Sequence, residues 1–186
     1  MNELRPLSPA DAPTLLRWRN LPEIARHMYT DHTISPEEHA AWFERTLKRD
    51  DARYWIVAAD GVDIGVVNLT EIDPHHRTCS WAFYIAETAA RGKGTGAFTE
   101  YTILELVFSE MGLRKLSCEV LASNPAVLAM HERFGFVREG CFREQILKDG
   151  VPVDIHRLGI LSPEWSQVRD GHREALLEKG ILEPPS

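Results

Sequence analysis

The sequence is poor in cysteine and in long apolar runs. Its three cysteines, Cys79, Cys118 and Cys141, are odd in number and widely spaced, so neither a disulfide framework nor a zinc-ligand pattern is indicated. Each lies in a predicted strand, and we expect three buried, reduced thiols and no metal. No apolar run approaches the ~20 residues of a membrane span, and the N-terminus lacks the regions of a signal peptide. We therefore expect a cytoplasmic protein without a membrane partner.

Positive charge is also scarce. Lys and Arg number 21 against 28 Asp and Glu, which gives a formal charge of −7. This charge opposes nonspecific binding to nucleic acid, and no basic stripe with interleaved aromatic residues is present. Hydrophobic residues make up 44% of the chain, enough for one domain with a substantial core. We expect residues 1–186 to form that single domain.

The most informative segment of the sequence is the glycine-rich run Arg91-Gly92-Lys93-Gly94-Thr95-Gly96. It follows a predicted strand, Cys79–Ala86, and precedes a predicted helix, Ala97–Glu110. Glycines without Cβ atoms let backbone amides converge on an anion, and the positive end of the helix favours a phosphate. Lys93 and Arg91 add charge-assisted contacts. The run therefore predicts a pyrophosphate site.

Two common phosphate motifs fit this loop poorly. A Walker A loop requires Ser or Thr after Gly-Lys and a glycine upstream, but Gly94 follows Lys93 and the upstream position is Glu87. A dinucleotide fingerprint, G-x-G-x-x-A, is present at Gly92, Gly94 and Ala97. It belongs in a first βαβ unit, whereas about ninety residues precede it here.

A third interpretation, R-x-x-G-x-G, resembles the acyl-CoA pyrophosphate loop of the GNAT acetyltransferases. A second motif, after the predicted strand Lys115–Leu121, is similar to the GNAT pattern N-x-x-A-x-x-x-Y-x-x-x-G-F; its positions are Asn124, Val127, His131, Gly135 and Phe136. It departs from that pattern at Val127, usually a small residue, and at His131, usually a tyrosine. The resemblance covers about Tyr54 to Ile160.

The order of the predicted elements supports the same resemblance. Helices capped by Ser8 and Ser35 follow a short first strand, Glu3–Leu7, and precede a hairpin around Asp60-Gly61. The chain ends with a second hairpin at 137–161, a helix at 162–180 and a tail at 181–186. The resemblance implies a mixed α+β fold: a central, mixed, twisted sheet of about seven strands, with helices on both faces and a splay between strands 4 and 5.

The GNAT resemblance also assigns a cofactor site. It implies acetyl-CoA as co-substrate, with pantetheine on the backbone of the strand before the loop, at Phe83, Tyr84 and Ile85. The pyrophosphate would lie on the loop and helix start, at Arg91, Gly92, Lys93, Gly94, Thr95, Gly96 and Ala97. Asn124 would contact the cofactor arm.

Acetyl transfer from a thioester to an amine requires a neutral amine, a polarised carbonyl and a proton for the departing thiolate. Direct transfer needs no enzyme nucleophile, and Cys118 is interpreted as a core residue. His131 stands where a tyrosine commonly protonates the sulfur; it either does so here or packs between helix and sheet. Glu119, the only acid of its strand, faces either solvent or the splay, where it would accept the amine proton.

The N-terminal pattern W-R-N…I-x-x-x-M…H-x-x-W-F resembles the UDP-amino-sugar N-acetyltransferases of pseudaminic acid biosynthesis, which acetylate UDP-4-amino-4,6-dideoxy-N-acetyl-β-L-altrosamine on the route to flagellin glycosylation. Ribosomal-protein N-terminal acetyltransferases share part of it, and a non-catalytic acyl-CoA-binding module is a third alternative. The resemblance leaves a homodimer open. Its expected acceptor residues are Arg19, Asn20, Met28, Tyr29, His39, Glu71 and Trp81, although some aromatic residues here would instead be core.

Overall fold

The computed structural model describes residues 1–90 and 92–184. Seven strands form one sheet, in the order β1-β2-β3-β4-β5-β7-β6. The strands are β1 (Asn2–Pro6), β2 (Arg53–Ala59), β3 (Val62–Asp73), β4 (Thr78–Ile85), β5 (Lys115–Leu121), β6 (Val137–Lys148) and β7 (Val151–Leu161). The helices are α1 (Ala12–Arg19), α2 (Pro22–Ala25), α3 (Pro36–Leu47), α4 (Thr95–Glu105, continued by a π-helical turn, Leu106–Glu110), α5 (Pro125–Arg133) and α6 (Ser162–Glu178).

One strand pair differs from all the others. The neighbouring strands pair antiparallel, except β4 and β5, which are parallel. Their pairing runs only from Thr78 opposite Lys115 to Ser80 opposite Ser117. Both strands continue for several residues beyond it. The predicted splay between strands 4 and 5 is confirmed.

Helices cover both faces of the sheet. Successive side chains of a strand point to opposite faces, so neighbouring residues of one strand join different clusters. Val57 of β2 belongs to a core cluster that includes Leu104 of α4 and Trp165 of α6. Its neighbour Ile56 belongs to a second cluster with Trp18 of α1 and Phe43 of α3. The predicted layering of helices on both faces is confirmed.

The two predicted helix starts are present. The Ser35 hydroxyl accepts a hydrogen bond from the Glu38 amide at 3.1 Å. The Ser8 amide donates to the Asp11 carboxylate at 2.8 Å, which completes a capping box. Hydrogen bonds from the Arg5 guanidinium hold the pKa of Asp11 below its ordinary value. The short helix α2 is an element that the sequence pattern did not predict.

One cysteine differs from its prediction. Cys79 and Cys118 are buried as expected, but Cys141 is exposed. It lies on β6, the last strand of the sheet, which is exposed along most of its length. An edge strand has a neighbour on one side only, so a strand prediction alone does not imply burial.

Two residues of the predicted C-terminal tail at 181–186 contact the rest of the protein. Helix α6 ends at Glu178, and the Ile181 amide donates to the Leu176 carbonyl at 2.9 Å. Ile181 and Leu182 pack against the main core cluster. No helix among the described residues is long and apolar enough to span a bilayer.

Gly65 of β3 lies close to the backbone of β4, the strand that carries the expected cofactor contacts. A Cβ atom there would lie 2.2 Å from the Tyr84 carbonyl oxygen of β4. We predict that Gly65→Ala destabilises the protein by about 1–3 kcal/mol, since backbone must shift to relieve the overlap. Urea unfolding followed by circular dichroism measures this free energy.

The matched control is Gly171→Ala on α6, where the added methyl group has no atom within 4 Å apart from its chain neighbours and the nearby backbone of its own helix. Alanine in a helix interior should stabilise the protein by about 0.5–1 kcal/mol. Equal unfolding free energies for the two variants would contradict the close approach at Gly65.

Candidate active site

A cavity of about 860 Å³ occupies the gap between β4 and β5. Its wall consists of both strands, the start of α5 and the segment that follows α1. Most of the sequence-predicted site residues line it: Arg19, Met28, Tyr29, Glu71, Trp81, Phe83, Tyr84, Ile85, Gly92, Gly96, Glu119, Asn124 and His131.

The glycine-rich loop enters the cavity at one end. Gly92 and Gly94 have φ angles of +77° and +84°, which disfavour residues with a Cβ. A Cβ on Gly94 would also overlap Ile181, at 2.2 Å from its Cδ1 atom. Helix α4 starts at Thr95, and the amides of a first helical turn have no partner within the helix. The geometry suits an anion at this helix start.

The other predicted loop residues have separate roles. Lys93 is exposed, and its ammonium group can reach an anion from the solvent side. The Thr95 hydroxyl instead donates to Asn2 of β1 at 3.2 Å, so only the backbone of Thr95 is directed to the loop. Ala97 packs against the main core cluster. Arg91 lies outside the described residues.

The β4 side of the gap offers backbone together with an aromatic wall. Beyond Ser80, β4 makes no ladder pair with β5 in the described residues, so that backbone edge adjoins the cavity. Phe83 stacks on Trp81 at 5.3 Å, whereas Tyr84 packs edge-on against Trp18 of α1 at 6.4 Å. From Trp81 to Tyr84, a strand edge without a ladder pair to β5 is a suitable hydrogen-bonding surface for an amide-containing arm such as pantetheine.

Glu119 is held on the β5 side of the gap by two donors. Arg157 of β7 donates to its Oε1 atom at 2.9 Å, and the Tyr29 hydroxyl donates to its Oε2 atom at 2.5 Å. Burial and the contact with Glu119 raise the pKa of Tyr29, so the phenol keeps its proton as a donor. Glu119 lines the cavity and is also exposed to solvent, so both orientations considered from sequence apply to it.

A chain of polar side chains connects Glu119 with Glu71 at the point where β4 and β5 separate. The Ser80 hydroxyl donates to Glu71 at 2.7 Å, and the Ser80 and Ser117 hydroxyl oxygens lie 3.4 Å apart. The Arg157 guanidinium also donates to the Ser117 oxygen at 3.1 Å. The side chains at the base of the gap are therefore linked across β4, β5 and β7.

His131 lies on the α5 side and is 3% exposed. Its ring contacts Trp81 and Phe136, each at 5.2 Å between centroids, and its Nδ1 atom lies 2.8 Å from the Oε1 atom of Glu100. It both packs between helix and sheet and lines the cavity, so the two sequence interpretations are compatible. Trp81 is equally buried and supports this ring from β4.

Cys118 also lines the cavity. Burial raises the pKa of its thiol, which keeps the nucleophilic thiolate scarce. This environment agrees with direct transfer without an acyl-cysteine intermediate.

Two predicted acceptor residues do not line the cavity. The Asn20 side chain exchanges hydrogen bonds with the backbone of Ile34, at 3.0 and 2.9 Å, and so holds the segment after α2. His39 is buried on α3, with its Nε2 atom 2.8 Å from the Ala12 carbonyl oxygen. Burial lowers the pKa of His39. Both side chains are used in internal structure.

Residues 25–30, which include the expected acceptor residues Met28 and Tyr29 and are called the acceptor-side segment, are fixed by a lysine that the sequence pattern did not single out. Lys148, next to the β6–β7 turn, donates to the carbonyl oxygens of Ala25, Met28 and Thr30 at 3.1, 3.0 and 2.8 Å. An ammonium group has three donors, and all three are used. Lys148 thus fixes the segment that places Met28 and Tyr29 on the cavity wall.

The sequence pattern also did not identify Glu100 and Arg157 as residues of the site. A charged residue within the apolar helix pattern around Glu100 was a usable signal, because a fully buried acid requires a partner. Arg157 gave no comparable signal, since its position opposite Glu119 depends on the register of β5 with β7.

No group of three or more potential metal ligands is assembled within the described part of the chain.

The fold and the site define an acetyltransferase: the chain belongs to the family of the acetyltransferase (GNAT) domain, which matches residues 3–137. It is an acetyl-CoA-dependent N-acetyltransferase, as the resemblance implied.

Relatives and solved structures agree with this assignment. The SPbeta prophage-derived uncharacterized N-acetyltransferase YokL of Bacillus subtilis is 28% identical over 77% of this chain and 81% of its own. Acetyltransferase PseH of Campylobacter jejuni is 25% identical over 66% and 74%. The structure of spermidine N-acetyltransferase from Vibrio cholerae, in complex with CoA and spermine, superposes with a TM-score of 0.81 at 25% identity, over 89% of this chain and 98% of that one.

We predict that Glu119→Gln lowers turnover by about tenfold or more, most strongly at pH values where the acceptor amine is largely protonated. An amide cannot take up the amine proton, whereas acetyl-CoA binding on the other side of the gap should not change. Steady-state assays of thiol release across a pH range measure both quantities. Glu44→Gln on the exposed face of α3 is the control, and a wild-type turnover profile for Glu119→Gln would remove Glu119 from the mechanism.

We predict that Lys148→Met raises the KM for the acceptor by about tenfold, because three carbonyl contacts of the acceptor-side segment are lost. The KM for acetyl-CoA should stay unchanged, since the glycine-rich loop lies elsewhere. The exposed lysine variant Lys48→Met controls for loss of charge. Equal changes in both KM values would show that Lys148 does not act on the acceptor side.

Proposed function

We propose that this enzyme transfers the acetyl group of acetyl-CoA to the 4-amino group of a UDP-linked amino-dideoxy sugar, by direct attack of the amine on the thioester. The observation that carries the proposal is the pair of arginines, Arg19 and Arg26, that line the cavity wall next to α2. A sugar nucleotide brings a diphosphate, and arginine is well suited to bind phosphate.

A second hollow supports a nucleotide-linked acceptor. It has a volume of about 460 Å³, shares Arg26 and His27 with the main cavity, and extends towards Val151 and Val153 of β7. A sugar amine in the splay and a nucleotide in this hollow would have the diphosphate between them, beside Arg26. The sequence pattern shared with UDP-amino-sugar acetyltransferases and the PseH relative point in the same direction.

In this proposal each side of the gap has its own task. The glycine-rich loop binds the CoA diphosphate, and the edge of β4 from Trp81 to Tyr84 binds the pantetheine arm and orients the thioester. Glu119 accepts the proton of the attacking amine, directly or through water. His131, on the opposite side, donates a proton to the departing thiolate. Acetyl-CoA supplies the activated acetyl group.

A polyamine acceptor is the second candidate. Glu23 and Glu71 line the same cavity, and carboxylates bind the ammonium groups of polyamines. The similar Vibrio cholerae structure contains spermine. Glu71, however, already accepts a hydrogen bond from Ser80, and the two arginines next to α2 oppose a polycation.

The test is a thiol-release assay with acetyl-CoA and three acceptors: a UDP-4-amino-dideoxy sugar, spermidine and a peptide with a free N-terminus. We expect the sugar nucleotide to give the highest kcat/KM. A preference for spermidine supports the second candidate and overturns the first. A preference for the peptide instead supports a protein N-terminal acetyltransferase.

We predict that Arg26→Gln raises the KM for the sugar nucleotide by about tenfold, because a charge-assisted contact to phosphate is lost. It should not raise the KM for spermidine. Arg45→Gln, on the exposed part of α3, is the matched control. An unchanged KM for the sugar nucleotide would place the diphosphate elsewhere.

A further inference from the structure

Glu100 is a charged residue in the core of the protein. It lies in the middle of α4, is 0% exposed, and its Oε1 atom is 2.8 Å from the Nδ1 atom of His131 on α5. Its second oxygen, Oε2, is buried and has no hydrogen-bond partner among the described residues. An acid in this environment is costly unless it has a partner, and its position beside a cavity-lining histidine calls for a functional explanation.

The surroundings of the pair are mostly apolar. Trp81 and Phe83 of β4 and Phe136 after α5 pack around the imidazole ring. The other titratable or charged groups that act on the pair are Cys118 of β5 and Arg133 of α5. Burial raises the pKa of Glu100, against the opposing effect of its hydrogen bond with the imidazole.

We propose that Glu100 is a positioning residue of the acetyl transfer, which directs the Nδ1 atom of His131 towards itself and keeps a proton on the Nε2 atom at the cavity. The physical reason is charge. With one proton shared between Oε1 and Nδ1 and another on Nε2, the pair is neutral; loss of the Nε2 proton leaves a net negative charge in a buried, largely apolar site. The buried carboxyl group therefore stabilises the proton-donating form of the imidazole.

This arrangement serves the departure of coenzyme A. The amine nitrogen forms its bond to the acetyl carbon, and the carbon–sulfur bond breaks with its electron pair on sulfur. The sulfur takes the Nε2 proton, while the proton lost by the amine passes to Glu119 or to water. Water then returns a proton to the pair. The inference rests on acetyl transfer with His131 as the acid and is independent of which amine accepts.

The test compares wild type, Glu100→Gln, His131→Gln and the double variant in the pH dependence of kcat. On the high-pH limb of the kcat profile, we expect Glu100→Gln to lose activity at a lower pH than wild type. The ratio of kcat at pH 8.5 to kcat at pH 6 should fall by about tenfold relative to wild type, and the KM for acetyl-CoA should be unchanged. In the His131→Gln background, Glu100→Gln should have no further effect on the profile.

Glu105→Gln is the matched control on the same helix. Glu105 accepts hydrogen bonds from Trp165 and Arg169 of α6, away from the cavity, so its loss perturbs α4 without touching the pair. A profile for Glu100→Gln that parallels wild type, or that Glu105→Gln reproduces, would overturn the proposal.

Nitrogen-15 NMR of the histidine rings gives a readout that needs no acceptor. The His131 signals are assigned by their absence in His131→Gln, and we expect the Nε2 proton to persist to higher pH in wild type than in Glu100→Gln. Equal behaviour in the two proteins overturns the proposal even if no amine in the panel is acetylated. Failure of the sugar proposal, with the expected NMR difference, leaves the pair supported.

If Glu100→Gln does not fold, Glu100→Asp and wild type still decide the matter. The shorter acid cannot maintain the 2.8 Å contact, so its activity profile should shift in the same direction as expected for Glu100→Gln. In wild type at pH 7, a hydrogen-bonded Nδ1 and a protonated Nε2 support the proposal. An Nε2 atom without a proton overturns it.

Discussion

The short parallel pairing of β4 with β5 is the constraint on which the rest of the structure depends. The two strands pair at only three positions, ending at Ser80 opposite Ser117. Each is then fixed by its other neighbour: β4 by β3 as far as Ile85 opposite Gly65, and β5 by β7 as far as Leu121 opposite Ile155. The two halves of the sheet therefore diverge beyond that point. The antiparallel ladders on either side hold β4 and β5 apart there.

The two residues proposed to transfer protons lie on different walls of the gap. On the β5 side, Glu119 is held by Arg157 and Tyr29. On the helix side, His131 is held by Glu100 within aromatic packing. In the proposed mechanism Glu119 is the base for the amine and His131 the acid for the thiolate, and these two groups lie on different walls of the cavity. In the proposed function, Arg19 and Arg26 beside α2 favour a phosphate-bearing acceptor over a polycation.

Local features were predictable from sequence, and distant pairings were not. The glycine-rich loop, the caps at Ser8 and Ser35 and the turns of both hairpins depend on residues within a few positions of one another. The Glu100–His131 contact spans 31 positions, and the contacts of Lys148 span about 120. Residue type alone also did not separate cavity residues from internal ones. Asn20 and His39 were expected at the acceptor, but their side chains form hydrogen bonds with backbone groups inside the protein. A sequence pattern indicates which reactive or polar side chains are present. It does not indicate which of these side chains the fold directs to the cavity and which it buries.

The most direct test of the account is a crystal structure of the protein with coenzyme A. The account predicts the diphosphate against the backbone of residues 92–97, pantetheine along the edge of β4 beyond Ser80, and the sulfur between that strand and His131. A coenzyme bound outside the gap between β4 and β5, or a sulfur remote from His131, would contradict it.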